Sequence, residues 1–155
     1  MNTNEIAKEI TQVIPDVTKA CGRSIAPNSF EVVDQKAPHE PGQLREGKMA
    51  VYIFVYNDRV LKIGKAGSDS NARFQSHHYA PSRAKSTLAR SLLSDPEMVA
   101  NEEITESNVG DWIRQNCRRI DIFIDAKLGK FLLSLIEAAL QYKYAPKYEG
   151  FKNQR

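Results

Sequence analysis

Tyr52, Lys62, Arg73, His77 and Glu137 are the side chains whose types and spacing suit chemistry on a phosphate ester, with Gly64 lying between them in the chain. Arg73 and His77 stand four residues apart, so on a helix they share a face and can reach one phosphate or one leaving oxygen. Taken alone, that pair suits a solvated helix face equally well. Glu137 lies inside Leu133-Ser134-Leu135-Ile136-Glu137-Ala138-Ala139-Leu140. A carboxylate among apolar neighbours must be ion-paired, protonated or bound to a cation. A structural ion pair and a metal ligand are the two uses open to it.

The elements that must position these residues follow from hydrophobic periodicity. Val51, Ile53 and Val55 alternate with Tyr52, Phe54 and Tyr56, and after Asn57-Asp58 a second run resumes over 59–65, which reads as a β-hairpin. Pairing Val51, Ile53 and Val55 with Leu61 and Ile63 needs an odd loop such as Asn57-Asp58-Arg59, because a one-residue slip would move Lys62 onto the aliphatic face. Tyr52, Phe54, Lys62 and Gly64 then share the other face. There an ammonium beside the Tyr52 phenol favours the phenolate, and with it the general base.

Ser68-Asp69-Ser70 offers N-caps for a helix running through Arg73 to about Tyr79, ended by Pro81. A second helix is expected over 84–93, a solvated acidic connection over 95–106, a helix around 109–116 and a third strand over 119–125. The last helix spans 130–144, with Phe131, Leu132, Leu135, Ile136 and Ala139 forming its apolar side. Before the hairpin, Ile6, Ile10, Val13 and Ile14 suggest a short amphipathic helix stopped by Pro15. An irregular Pro-rich connection follows, with a short strand near Phe30. The expected fold is α+β: a small three-stranded antiparallel sheet flanked by helices over 48–155, with a helical and irregular extension over 1–47.

Composition narrows the function classes. The chain has 155 residues, 41% of them hydrophobic and 26% charged, which suits one globular domain. It has no run of 18 apolar residues and opens without a basic-then-apolar leader, so a cytoplasmic protein without a membrane span is expected. Cys21 and Cys117 are too far apart for a metal-binding motif. Charge is segregated: residues 48–94 carry eight basic against two acidic groups, 95–111 none against six, and 112–155 nine against four. Two basic blocks that meet in space would form a phosphate-binding surface. Lys65, Arg83, Lys85 and Arg90 are the candidates for tracking a nucleic-acid backbone.

The series Ala50-Val51-Tyr52, Lys62-Ile63-Gly64, Arg73-x-x-x-His77 and a distant Glu137 on a helix resembles the GIY-YIG nuclease family over about 100 residues. That resemblance implies a small module with a three-stranded antiparallel sheet and metal-dependent cleavage of DNA. It places the first-motif tyrosine on Tyr52, the helix arginine on Arg73, the following histidine on His77, the metal-ligand glutamate on Glu137 and the late asparagine on Asn153. Ala50 stands where the family has its first glycine, and Lys62 where it has its second tyrosine. The implied activity is a DNA endonuclease using one Mg²⁺ or Mn²⁺ on Glu137, in a restriction, phage or mobile-element role. Duplex DNA is the expected partner, and a homodimer is left open. A catalytically silent nucleic-acid-binding module on the same fold is the alternative, supported by Lys62.

Overall fold

The computed structural model describes residues 5–82 and 87–149. Among them four strands, β1 (Phe30–Lys36), β2 (Lys48–Tyr56), β3 (Arg59–Ala66) and β4 (Arg118–Asp125), form one antiparallel sheet in the order β1-β4-β2-β3. The sheet therefore has four strands where three were expected. The additional one comes from the segment read as an extension: β1 pairs with β4, placing Phe30 opposite Ile124 and Val32 opposite Ile122.

Helices α1 (Ile6–Ala20) and α6 (Lys130–Tyr144) cover one face of the sheet, where Val51, Ile53, Ile63, Ile120 and Ile122 meet Ile6, Ile10, Ile14 and Leu140. Pro15 does not stop α1, which runs on to Ala20. Burial of Ile14 and Thr18 on the same stripe offsets the hydrogen bond that Pro15 cannot donate. On α6 the buried side is Leu133, Ile136, Leu140 and Tyr144, and Phe131, expected in the apolar stripe, is 94% exposed. Leu133, Ile136 and Leu140 recur at three- and four-residue spacing, and Phe131 lies on the opposite side of that stripe.

The other face carries Ala50, Tyr52, Phe54 and Leu61 under α2 (Asn71–Gln75), α3 (Leu88–Leu93), α4 (Pro96–Glu102) and α5 (Val109–Asn116). The acidic stretch expected to be a solvated connection contains α4. Asp95 caps it by accepting from Glu97 N–H at 3.1 Å, Pro96 takes its first position, and Met98 is buried. Residues 83–86, with Arg83 and Lys85, lie outside the described residues, as does Asn153.

The hairpin places Lys62 and Ile63 on their expected faces by a different route, and moves Leu61 off the aliphatic face on which it was expected. Its turn has two residues, Asn57 and Asp58, both at positive φ. An extra residue, Leu61, enters between the pairs Val55–Val60 and Phe54–Lys62 and restores the phase. Val60 and Ile63 thus face the aliphatic layer, whereas Leu61 joins the aromatic one, and Lys62 shares the face of Tyr52.

Candidate functional site

The site forms where the aromatic layer meets the outer edge of the sheet at β3. Tyr52 pairs with Gly64, and its ring lies across that residue: a Cβ on Gly64 would be 2.6 Å from Tyr52 Cε2 and 2.7 Å from Oη. Only hydrogen fits in that gap, so the glycine sets how far the phenol reaches towards the edge. The Tyr52 side chain is fully buried, and Oη lies 2.7 Å from His78 Nε2. His78 Nδ1 accepts the Leu88 N–H at 3.2 Å, so a neutral imidazole carries its proton on Nε2 and donates it to Oη. Burial, with the charges of Lys62 and Arg73 adding to it, pushes the His78 pKa down to about 3 and keeps the ring neutral.

Arg73, at the exposed surface of α2, brings its positive charge to bear on the Tyr52 hydroxyl. Burial holds the Tyr52 pKa above its ordinary value, opposed by that guanidinium. The cations that act on the phenol are therefore Arg73 and, behind it, Arg119. Lys62, expected to do so, is 6% exposed with Nζ 3.3 Å from Glu149 Oε1, and it donates to the Tyr148 carbonyl at 3.4 Å.

The helix expected to carry both Arg73 and His77 is broken. It ends at Gln75, Ser76 takes φ −127°, and His77–Tyr79 form a 3₁₀ turn. The Ser76 N–H and hydroxyl both bond the Ala72 carbonyl at 3.0 Å, which closes the last turn. After the break His77 sits half-buried at the rim, and its neighbour His78 is the one that reaches the phenol.

Across the β3 edge, Glu137 on α6 pairs with Lys65 at 2.7 Å, and Lys65 also donates to Ser134 Oγ at 3.1 Å. Lys65, expected to meet solvent or a nucleic-acid backbone, is the partner that the Glu137 carboxylate required. A second carboxylate, Glu149, stands nearby. It accepts from Ile63 N–H at 3.1 Å and from Gln141 Nε2 at 3.2 Å, and burial, with the charge of Glu137 adding to it, raises its pKa against the pull of Lys62. The segment that delivers Glu149 lies along the edge strand: Lys147 N–H bonds the Val60 carbonyl at 3.0 Å and Tyr148 N–H the Leu61 carbonyl at 2.9 Å. Arg90 is exposed on α3, the helix whose first residue bonds His78.

Among the described residues there is no group of three or more His, Cys, Asp or Glu side chains placed to hold a metal ion. A hydrated Mg²⁺ or Mn²⁺ needs less: one carboxylate, several waters and oxygens of the substrate phosphate. Glu137, ion-paired on one side only and backed by the charge of Glu149, fits that modest demand but not a fully protein-ligated ion.

Sequence reasoning missed His78 and Glu149. The Ser-His-His-Tyr-Ala-Pro run was the available signal for His78, because a run closed by proline favours a tight turn over a fourth helical turn. The chain matches no known family model, no curated protein and no solved structure. Among the described residues no helix is long and apolar enough to cross a membrane.

Proposed function

We propose that the chain is a GIY-YIG-type endonuclease that hydrolyses phosphodiesters of duplex DNA with one divalent ion, Mg²⁺ or Mn²⁺. The observation that carries this reading is the hydrogen bond of His78 Nε2–H to Tyr52 Oη at 2.7 Å, over a glycine that leaves room for the ring and under the positive charge of Arg73. An N–H donor on the phenolic oxygen and a neighbouring cation both oppose the effect of burial, since each interaction strengthens as the phenolate charge forms. Tyr52 then serves as general base towards the attacking water, and His78 stays neutral and orients it. Arg73, exposed beside that oxygen, binds a non-bridging phosphate oxygen, and His77 at the rim donates to the phosphate. Lys62 and Lys65 offset the charges of Glu149 and Glu137, so the two carboxylates do not repel the phosphate. A divalent ion on Glu137 would supply charge neutralisation at the phosphate and a polarised water.

The test is incubation with supercoiled plasmid and with single-stranded DNA, each with Mg²⁺, Mn²⁺ or EDTA. Cutting of plasmid with either metal, none with EDTA, and loss of cutting with retained binding in Glu137→Ala is the expected result. Binding without cutting under every condition would falsify the endonuclease reading. One observation favours that second outcome, a silent binding module: the carboxylates of Glu137 and Glu149 are both already ion-paired to lysines.

A further inference from the structure

We propose that Arg119 is the positioning residue of this site, holding from behind the two segments that present Arg73 and His78 to the Tyr52 hydroxyl. Arg119 belongs to β4 and is 0% exposed. Its Nη2 donates to the Phe74 carbonyl at 2.9 Å, and Nη1 to Tyr79 Oη at 2.8 Å. Phe74 follows Arg73 directly, and Tyr79 follows His78 directly. Two arms of one planar group therefore fix the neighbours of His78, which bonds Oη, and of Arg73, whose charge acts on it. The guanidinium carbon also lies 4.6 Å from the Phe74 ring centre and 5.6 Å from that of Tyr52, so the same cation backs the phenol itself.

The third arm and the far end of the network remove all slack. Arg119 Nε donates to Asp121 Oδ1 at 2.8 Å, and Gln35 holds the other oxygen of that carboxylate. Beyond Tyr79, His39 Nε2 lies 2.8 Å from the same hydroxyl, and His39 Nδ1 lies 2.7 Å from the Cys117 carbonyl. A carbonyl only accepts, so Nδ1 carries the proton and Nε2 accepts from Tyr79, whose oxygen in turn accepts from Arg119. Every donor and acceptor role along this chain is thereby determined. A buried ion pair contributes little to stability compared with an apolar filling of the same volume. An apolar side chain would nevertheless leave the Phe74 carbonyl without this donor and the Tyr79 hydroxyl held by His39 alone. The break after Gln75 makes such an anchor necessary, since no continuous helix ties Arg73 to His78.

The inference rests on the proposed role of the Tyr52 hydroxyl, and one of its readouts needs no activity. The chain has three histidines, His39, His77 and His78, so ¹⁵N imidazole spectra resolve the His78 tautomer directly. Two variants of the full chain serve: Arg119→Lys keeps the charge and loses the fork, and Tyr79→Phe keeps the ring and loses one arm. Relative to the wild type's fixed Nε2–H imidazole, both should move His78 towards the averaged signals of a solvated ring. Plasmid cutting should fall about 100-fold in kcat, with KM for DNA within about twofold. An unchanged His78 spectrum in folded Tyr79→Phe overturns the proposal, as does a rise in KM with kcat intact. If Arg119→Lys fails to fold, Tyr79→Phe decides alone. If the wild type cuts no DNA, the endonuclease reading falls and the His78 spectrum still decides the role of Arg119.

Discussion

At Tyr52 the balance between burial and hydrogen bonding sets what the phenol can do. Because burial holds its pKa above the usual value of about 10, the phenolate is a small minority at neutral pH and grows about tenfold with each pH unit. The logarithm of kcat/KM should then rise with a slope of about one between pH 6 and 9, and Tyr52→Phe should abolish both the rate and the slope. A flat profile would remove Tyr52 as the base. Gly64→Ala tests the same oxygen by space alone. The added methyl group must displace the Tyr52 ring, so activity should fall about 100-fold while folding loses about 1–3 kcal/mol, read from urea unfolding. Activity equal to wild type would show that the ring can shift without consequence. Of this site, Tyr52, Arg73 and Glu137 were legible as residue types at suggestive spacing. His78 and Glu149 were not, because their importance arises from a chain break and from a terminal segment folding back, neither of which leaves a periodic trace.

The elements show where periodicity succeeds and where it is overridden. The hairpin faces were readable from alternation except at Leu61, and the loop was not: a two-residue turn and the bulge at Leu61 together yield, from Lys62 onward, the same phase as a three-residue loop. Asp58 at φ 58° is the strained partner of that turn, so Asp58→Gly should raise stability by about 0.5–1 kcal/mol in urea unfolding, and no gain would mean the turn differs in solution. Strand β1 escaped full recognition because it pairs with the last strand of the sheet, across more than 80 residues of chain, which short-range pattern cannot report. Helix α1 was legible as amphipathic but not as core. Its face is buried as deeply as that of α6, so Ile10→Ala should cost about 2–5 kcal/mol and a chain lacking residues 1–24 should not fold cooperatively. A deletion variant with an intact cooperative transition would return that segment to the status of an appendage.

Across the whole molecule, two buried neutral histidines link stability to pH. His39, at about 4, and His78, at about 3, are both depressed by burial, with neighbouring cations adding to it. An unfolded chain binds protons on both below about pH 6.5, whereas the folded chain refuses them, so stability is complete above that value and falls as pH drops. The loss is about 1.4 kcal/mol per histidine for each pH unit down towards pH 4, which should appear as a lower urea midpoint at pH 5 than at pH 7. An unchanged midpoint would mean that both rings are solvated. The backbone of residues 147–148, laid along β3 with the Glu149 carboxylate on Ile63 N–H, has a different kind of consequence. An open sheet edge is a template on which another chain can continue the sheet, the usual first step of strand-swapped oligomers and fibrils. Here that edge is already occupied next to the site, so among the described strands the edge left to recruit a foreign strand is that of β1, at the opposite rim. Any association by strand addition would therefore take place at the rim opposite β3 and leave the Glu149 edge uncovered.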